Sequence, residues 1–549
     1  MTRPVASSLS RRLMSAPGIA FTMIAVLTAI VSSSLPGAAS AGTLSTWTGG
    51  GSDANWATSG NFSTTITTVG DFDLVFGGTT KTANSNNVGT VNVSSILFSN
   101  AGTSGQTSAF AVSGSPLALA NSSISTTIAT SGSLGTATSS GDVINNILTL
   151  SGSNTVTAGS NHNLSLLGNI SGTGSITFAS SGSGTTPFVY LGGSNDYSGN
   201  TLITGGNVQT TARTGGNAAG SSTAFGSGNV SVNGGTILLR NGSTLNNNLT
   251  LSGTGVAGDA LTGSFGQTST ATITGTITLA ANAAIGTASS VANDTTSKLV
   301  VSGPVQLGAN TLTFRPDRVT TRSNVIEMNG VIAGSGGLVV ASPSGVGRVL
   351  LNAANTFTGP TNVNAGVLSG TGSVAGPVNV NAGGVFDPGA NANATTFFGV
   401  GSYSQVTGGT TRLQVNGLTA GSQYDQVLFS GTSKTVSWGG KLELTLSGSY
   451  ANNTGFNLFS GFTSQSGNLG EISLSAGSPY SGLSFSGPVG SVWYTGTTAA
   501  GQYLTFNQTT GVFAVVPEPG TVSLAAIGAA LGFCHRMLRR SRTAKKLPS

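Results

Sequence analysis

The chain has 549 residues, of which 84 are glycine and only 6% are charged, so a binding surface built from many charges is excluded at the outset. Its 38% hydrophobic content is enough to bury a core, which argues against an intrinsically disordered chain. Residues 42–519 hold eleven of the 20 basic residues and all 14 acidic ones, so the formal net charge of +6 arises at the two ends. Phosphate binding needs a clustered basic face, and nucleic acid is therefore excluded as a partner.

The N-terminal segment has the features of an export signal. Basic residues come first, at Arg3, Arg11 and Arg12, and an apolar run over 19–31 follows. The small residues Ala39 and Ala41 then flank Ser40, as in a signal peptidase site. We therefore predict that residues 1–41 form a signal peptide, and that signal peptidase and the export machinery release a chain beginning at Gly42. The pair Arg11-Arg12 leaves the general and the twin-arginine export routes open.

Two tryptophans, Trp47 and Trp56, lie in a glycine- and asparagine-rich stretch at the start of the predicted mature chain. The end of a stacked repeat array must be covered, because its core would otherwise face water. We predict that both rings pack into an N-terminal cap rather than form a flat platform for sugars.

A repeat with a separation of about 160 residues runs through the centre of the chain. Residues 170–176 (ISGTGSI) recur as 332–338 (IAGSGGL), and 191–207 recur as 351–367. Apolar residues alternate with polar ones between glycine turns after each copy, which indicates short β-strands. Strands this short, with turns this regular, predict a right-handed parallel β-helix over residues 42–399, with columns of Val, Ile and Leu inside.

The second copy of the repeat resembles the autotransporter-associated β-strand repeat. The resemblance covers about 40 residues and is carried by 355–359 (NTFTG), 363–368 (VNAGVL) and 380–389 (VNAGGVFDPG). It implies a β-strand array of the kind found in surface proteins.

The sequence changes in character near residue 400, where aromatic residues become denser and the hydrophobic alternation lengthens. Longer strands are predicted over 400–515, arranged either as a β-sandwich or as the last, wider coils of the helix. The segment 423–426 (QYDQ) resembles one that is common near the end of such repeat proteins.

Few residues between the two ends are able to carry catalysis. His162 is the only histidine there, and its polar neighbours predict an exposed turn without a nucleophile-elbow motif. Asp71 and Asp73 alternate on a predicted strand and share one face, which we interpret as a solvated face rather than a carboxylate pair. The single cysteine, Cys534, lies in the C-terminal apolar segment, which excludes a disulfide or thiolate metal site in the body. We expect no metal ion and no cofactor.

The one basic cluster of the body consists of Arg315, Arg318 and Arg322, next to Asp317 and Glu327. A β-helix that binds or cleaves acidic polysaccharide would use such arginines, and this is the alternative function. A solvated loop is favoured, because the two acids can neutralise the neighbouring arginines.

Residues 516–549 contain three features in a fixed order. Pro517, Glu518 and Pro519 come first, and an apolar stretch over 522–534 follows. Basic residues close the chain, at Arg536, Arg539, Arg540, Arg542, Lys545 and Lys546. The prolines keep the motif extended. The apolar stretch predicts a single transmembrane helix, with the basic residues on its cytoplasmic side.

This order resembles the PEP-CTERM sorting signal of Gram-negative-type bacteria. The resemblance implies that a membrane enzyme of the exosortase type recognises the motif in an inner-membrane intermediate, and that the protein then reaches the cell surface or extracellular matrix. The two ends and the repeats together predict a non-enzymatic surface or matrix protein that is adhesive or associated with exopolysaccharide. Its expected partners are the exosortase-like enzyme, the export machinery, and exopolysaccharide or other surface proteins.

Overall fold

The computed structural model describes residues 41–518, apart from 100–108, 127–140, 161, 182–186, 211–221, 241, 257, 264–269, 288–297, 317–323, 390–394 and 431–433. Within these ranges the chain forms 48 β-strands and no helix, so the all-β class predicted from the sequence is confirmed. β-Branched residues and leucine supply the strands, and glycine, which tolerates positive φ, supplies many of the turns. All described residues belong to one compact unit.

The strands of the first half are short, and burial alternates along them. In β2, for example, Phe72, Leu74 and Phe76 are buried and the residues between them are not. The strands are β1 (Thr43–Trp47), β2 (Asp71–Gly77), β3 (Ala83–Asn86), β4 (Val91–Ser99), β5 (Ala111–Gly114), β6 (Leu117–Thr126), β7 (Gly141–Ile144), β8 (Leu148–Ser151), β9 (Ser153–Gly159), β10 (Asn163–Leu166), β11 (Ile170–Gly172), β12 (Ser175–Ser181), β13 (Phe188–Leu191), β14 (Thr201–Ile203), β15 (Asn207–Gln209), β16 (Val230–Asn233), β17 (Thr236–Leu239), β18 (Thr244–Leu245) and β19 (Leu249–Gly253).

The second half continues the pattern, and each of its two longest strands, β22 and β31, pairs at its two ends with different strands. The strands are β20 (Leu261–Gly263), β21 (Thr270–Ile273), β22 (Ile277–Thr287), β23 (Lys298–Val301), β24 (Val305–Gln306), β25 (Leu312–Arg315), β26 (Val325–Met328), β27 (Ile332–Ala333), β28 (Leu338–Ala341), β29 (Arg348–Leu351), β30 (Ala354–Asn355), β31 (Thr361–Ser369), β32 (Ser373–Val374), β33 (Pro377–Val380), β34 (Gly384–Phe386), β35 (Phe397–Val400), β36 (Ser402–Gln405), β37 (Thr410–Val415), β38 (Gln426–Phe429), β39 (Thr435–Trp438) and β40 (Lys441–Leu446).

The last strands divide between the end of the parallel stack and a separate antiparallel sheet. They are β41 (Thr454–Asn457), β42 (Phe459–Ser460), β43 (Ser464–Gly467), β44 (Glu471–Leu474), β45 (Phe485–Val489), β46 (Val492–Thr495), β47 (Gln502–Asn507) and β48 (Val512–Pro517).

Parallel pairing joins 38 of the strands into one sheet, in which three long ladders can be followed. Ladder 1 runs through β3, β5, β7, β10, β13, β15, β17, β20, β22, β25, β28, β31, β33, β36, β39 and β43. Ladder 2 runs through β1, β2, β4, β6, β9, β12, β14, β16, β19, β22, β24 and β27. Ladder 3 runs through β18, β21, β23, β26, β29, β31, β34, β37, β40 and β44.

These ladders are stacked coils of one chain. Side-chain hydrogen bonds between neighbouring coils join residues that are 17 apart at Asn379 and Asn362, and 33 apart at Asn146 and Ser113. A further parallel sheet of five strands contains β30, β32, β35, β38 and β42. The arrangement is consistent with a β-solenoid, in which each coil buries its apolar side chains against its neighbours. The right-handed winding stays a prediction.

The two copies of the sequence repeat form equivalent hydrogen bonds between a buried asparagine and the backbone of a neighbouring coil. Asn195 Oδ1 accepts the N–H of Ile170 at 2.8 Å, and Asn355 Oδ1 accepts the N–H of Ile332 at 2.9 Å. Each asparagine also donates through Nδ2 to a backbone carbonyl of the following coil, at 2.8 and 3.0 Å. The two side chains are only 2% and 4% exposed, so their hydrogen bonds are made away from water. Each asparagine thus satisfies backbone groups on both sides of its own coil.

Glycine is required at equivalent turns of the two copies. Gly172 has a φ of +100° and Gly334 a φ of +129°, a region that side chains other than glycine rarely adopt. A Cβ atom would lie 2.2 Å from Leu150 O at the first position and 2.7 Å from Gly308 O at the second. The coils approach too closely here for any other residue, which explains the glycine-rich repeat.

An aromatic cap covers the N-terminal end of the stack. Trp47 and Trp56 are each 2% exposed, and both rings meet Phe62 edge-on, with centroids 5.0 and 5.4 Å away. The N–H of Ser63 donates to Thr46 O at 2.9 Å, so this segment pairs with the outer edge of β1. The predicted packed cap is confirmed.

The C-terminal end is covered differently. Parallel pairing crosses residue 400, since Val378 pairs with Tyr403, and it continues to β44, so the coils extend beyond the predicted change in character. β41, β48, β47, β46 and β45 then form an antiparallel sheet in that order. Its buried Phe506 lies 6.0 Å from Trp438 and 6.3 Å from Phe459, ring centroid to ring centroid, so the sheet packs on the last coils.

Candidate functional site

The first two residues of the proline-containing motif are held by the last strand of the antiparallel sheet. Pro517 ends β48 and pairs with Gln502 on β47. The N–H of Glu518 donates to Gly501 O at 2.8 Å. The motif therefore begins within the last described strand, without a linker between the sheet and the motif.

The rest of the tail falls outside the part of the chain that the structure describes. This applies to Pro519, to the apolar stretch 522–534 and to the basic residues Arg536, Arg539, Arg540, Arg542, Lys545 and Lys546. Across the described residues, no helix is long and apolar enough to span a membrane. The transmembrane helix therefore stays a prediction.

The predicted signal peptidase site borders the first strand. Ala39 lies outside the described residues, whereas Ala41 is exposed and Gly42 is half-buried immediately before β1. A Cβ atom on Gly42 would lie 2.8 Å from the carbonyl carbon of Phe72, so Gly42 already packs against β2. A chain beginning at Gly42 would keep β1 and its cap intact.

His162 is buried, and the prediction of an exposed turn histidine is wrong. Its exposure is 4%, and its Nε2 lies 2.7 Å from Oδ2 of Asp142, which is 0% exposed. The other carboxylate oxygen of Asp142 accepts the N–H of Phe110 at 2.8 Å. The contact gives the buried side chain of Asp142 a polar neighbour from another coil, and a buried polar group without such a neighbour would carry a desolvation cost.

This histidine and aspartate lack the third member of a catalytic triad among the described residues. His162 Nδ1 has no hydrogen-bond partner, although it is buried. The hydroxyl of the nearby Ser160 donates instead to Ser181 O at 2.9 Å. The arrangement ties neighbouring coils together and presents no activated nucleophile.

The predicted arginine cluster is only partly described. Arg315 Nη1 donates to Gly258 O at 2.7 Å and lies 3.4 Å from Asp259 Oδ1. Glu327 forms an ion pair with Lys298 on ladder 3. Asp317, Arg318 and Arg322 lie outside the described residues. Arg315 therefore contacts groups of its own chain, and Glu327 forms its ion pair with a lysine rather than with an arginine of the cluster.

Asp71 and Asp73 face outward, as expected for the predicted solvated face of their strand. Asp71 is exposed and Asp73 is half-buried on β2, on the opposite side from the buried Phe72. Asp73 Oδ1 accepts the hydroxyl of Ser95 at 2.7 Å. Within the described ranges, no three His, Cys, Asp or Glu side chains gather as a metal site requires.

A row of ion pairs follows ladder 3. The pairs are Lys298 with Glu327, Arg348 with Asp387, Arg412 with Glu443, and Lys441 with Glu471. Neighbouring strands lie about 4.8 Å apart, so side chains on successive coils meet directly in three of these pairs. Arg348 instead reaches past β31 to Asp387, which directly follows β34. Because every cation in this row contacts an anion, the row offers no net charge to an acidic ligand, and its exposed pairs add little stability.

The Arg348–Asp387 pair is the most buried of the row. Arg348 Nη2 lies 2.6 Å from Asp387 Oδ2, and its Nη1 donates to Ser369 Oγ at 2.8 Å, so one side chain spans three strands of ladder 3. Burial raises the pKa of the Asp387 carboxyl, which is 1% exposed, and the arginine opposes this shift.

Asp425 is a fully buried carboxyl within the QYDQ segment. Its two oxygens accept the N–H groups of Thr396 and Gln414, each at 2.8 Å. Burial raises its pKa to about 7, although both N–H groups favour the charged form. A pKa near neutrality suits a general acid. With 0% exposure and both oxygens bound to backbone, however, the carboxyl fastens the loop before β35 to β37 and is shielded from a substrate.

Stability should fall as pH rises from about 4 to 7, because the folded chain keeps on Asp425 a proton that the unfolded chain has lost. At about 1.4 kcal/mol per pKa unit, the loss should be roughly 2–4 kcal/mol, with a plateau above pH 7. Denaturant midpoints across this range should show a smaller decline in Asp425→Asn, even though the asparagine can accept only one of the two N–H groups. Equal declines in the two proteins would disprove this role of Asp425.

Sequence reasoning missed the Asp142–His162 pair and the charged row. In each contact the partners lie on different coils, and Asp142 precedes His162 by about one coil length. Opposite charges recurring at coil spacing were the available signal, but coil length varies too much for a fixed spacing to reveal it.

The chain matches no known protein family, no curated protein and no solved structure.

Proposed function

We propose that this chain is a non-enzymatic exported protein of the cell surface or extracellular matrix, sorted by an exosortase-type system in a Gram-negative-type bacterium. The observation that carries the proposal is the order of the tail: Pro517, Glu518 and Pro519, then an apolar stretch, then a basic cluster. Each feature has a separate physical role in recognition, membrane insertion and orientation. The chance occurrence of all three features in this order is a weaker explanation of the tail than a sorting signal.

The position of the motif supports this proposal. Pro517 pairs within the antiparallel sheet and the N–H of Glu518 donates to Gly501 O, so the proposed recognition segment starts on a strand of that sheet. An intermediate anchored by the following apolar stretch would hold the sheet close to the membrane. A membrane enzyme would then meet an extended Pro-Glu-Pro segment next to a rigid support.

The use of the polar residues supports a structural rather than an enzymatic role. His162, Asp425 and Arg315 bind groups of neighbouring coils or loops of their own chain. Buried asparagines such as Asn355 form hydrogen bonds with the backbone of neighbouring coils. These side chains stabilise a stack that would present a long repetitive surface, which suits adhesion or association with exopolysaccharide. We further propose that the stack winds in the right-handed sense.

N-terminal sequencing of the exported protein tests the export step. The mature chain should begin at or within a few residues of Gly42, because Ala39 and Ala41 occupy the small-residue positions of the cleavage pattern. Ala39→Arg should leave the precursor uncleaved, whereas Ser40→Arg, at the open middle position, should be processed. Exported protein that begins at Met1 would refute the proposed signal peptide.

A further inference from the structure

The antiparallel sheet at the C-terminal end of the stack has two different faces. Leu504, Phe506, Phe513 and Val515 are each 0% exposed and belong to its inner face, which packs on the last coils through Phe506. Burial alternates along β46, β47 and β48. The side chains between the buried positions therefore lie on the opposite, outer face, which is partly exposed.

The outer face of this sheet is rich in apolar side chains. Tyr503 pairs with Val516, and Thr505 lies between Ala514 on one neighbouring strand and Tyr494 on the other. Tyr494 is 38% exposed. A contiguous apolar face that keeps contact with water is typical of an interaction surface. The apolar residues of the outer face are Val489, Val492, Tyr494, Tyr503, Val512, Ala514 and Val516.

The outer face carries no charge. The sequence has no charged residue between Glu471 and Glu518, a range that includes β45, β46, β47 and β48, whereas ladder 3 has a row of ion pairs. The face therefore offers nothing to a partner that is recognised through ion pairs. Apolar side chains with two tyrosines suit the boundary of a lipid bilayer, where an aromatic ring contacts acyl chains while its hydroxyl stays hydrated.

The chain leaves this sheet a short distance before the apolar stretch 522–534. Residues 518–521 separate that stretch from Pro517, the last residue of β48, and five Cα-to-Cα steps span at most about 18 Å. The headgroup layer of a bilayer takes up roughly 5–8 Å of this length. Val516 and Tyr503 lie at the same end of the sheet as Pro517. Insertion of the apolar stretch therefore keeps this end of the outer face beside the membrane surface.

We infer that the outer face of the antiparallel sheet docks on the lipid headgroup region of the bilayer while the tail is inserted. The inference rests on the proposed membrane-anchored intermediate and adds a second contact, made by the folded body. Tyr494 and Tyr503 place their rings among the headgroups, and the valines of the face exchange water for lipid. Docking holds Pro517 and Glu518 at the membrane surface, where a membrane enzyme acts.

Fluorescence from a single labelled position tests this contact on purified protein that retains the whole C-terminal tail. Cys534→Ser removes the native thiol, and Thr505→Cys then carries an environment-sensitive dye at the centre of the outer face. In vesicles of phosphatidylcholine and phosphatidylglycerol, we expect a blue shift of its emission and quenching by spin-labelled lipid. Ser231→Cys is the matched control, because Ser231 is also half-buried and faces outward on β16, between buried Val230 and Val232. Emission from that position should not change.

A charge on the outer face should abolish the contact without unfolding the sheet. Ala514 is half-buried beside Thr505, so Ala514→Glu keeps access to water and the thermal midpoint should stay near that of the labelled parent. The dye at Thr505 should then emit as it does in water, although the protein still floats with the vesicles. Ser231→Glu, combined with the same dye position, should leave the blue shift and the quenching intact.

Three results would overturn the inference. Flotation of the protein with an unshifted dye at Thr505 would refute docking and leave the membrane tail of the proposed function intact. A blue shift that is present without vesicles and grows with protein concentration would assign the face to a second copy of the chain. Absence of the protein from the floating fraction would refute both the docking and the inserted tail.

Discussion

Val380→Asp should unfold the parallel stack at a much lower denaturant concentration than the unmodified protein, whereas Asn381→Asp should leave the midpoint almost unchanged. Val380 is 0% exposed in the core of β33, where an aspartate would be a buried charge without a partner. The expected cost is at least about 4 kcal/mol, in the range of the most destabilising single substitutions.

The neighbouring position is the matched control because it receives the same new side chain on the other face. Asn381 is half-buried, and its Nδ2 donates to Asn364 Oδ1 at 2.7 Å on the previous coil. An aspartate there keeps access to water and loses one exposed hydrogen bond, which costs on the order of 1 kcal/mol. Equal midpoints for the two variants would show that the inward and outward faces of β33 have been assigned incorrectly.

The sequence was sufficient to predict the parallel β architecture because its signals repeat. Glycines at the tight turns and alternating apolar residues recur in both copies, and the structure uses Gly172 and Gly334, and Asn195 and Asn355, in equivalent ways. A pattern that appears twice in the same order reflects a constraint from the fold, since close approach of the coils allows only glycine at these turns.

Contacts between coils were not predictable from the same patterns. His162 was assigned to an exposed turn because its neighbours are polar, yet polar residues also occur where a side chain must satisfy buried groups between coils. Asp425 was recognised only as part of a familiar segment. Its two backbone partners, Thr396 and Gln414, come from separate strands or loops, so its role depends on how the coils stack.

Replacing Glu518 and Pro519 together by alanine should leave uncleaved protein in the membrane. The proposed enzyme would recognise the proline-fixed extended backbone and the glutamate side chain, and both would be lost. The fold should not change, because Glu518 bonds to Gly501 through its backbone N–H, which alanine retains. Immunoblots of membrane and surface fractions measure the outcome.

Glu471→Ala is the matched control for this double variant. Glu471 is another surface glutamate, 59% exposed, and its pair with Lys441 contributes little. Processing should be normal in this variant. Normal processing of the Glu518 and Pro519 variant as well would contradict recognition of the motif and leave a plain membrane tether.

Removing the positive charges of Arg539, Arg540, Arg542, Lys545 and Lys546 should have a different effect. Each basic residue near an anionic leaflet contributes on the order of 1 kcal/mol to membrane association, so their loss should weaken retention of the intermediate. The motif itself would remain intact. Reduced membrane retention with correct cleavage of the remaining intermediate is the expected result, and unchanged retention would contradict the assigned role of the basic tail.

The central claim is that the C-terminal tail is a processing signal, and mass spectrometry of the C-terminal peptide of the cell-surface protein tests it most directly. The account predicts a mature chain that ends near Pro517, Glu518 and Pro519 and lacks every residue from Arg536 onward. A cell-surface form that still ends at Ser549 would contradict the claim.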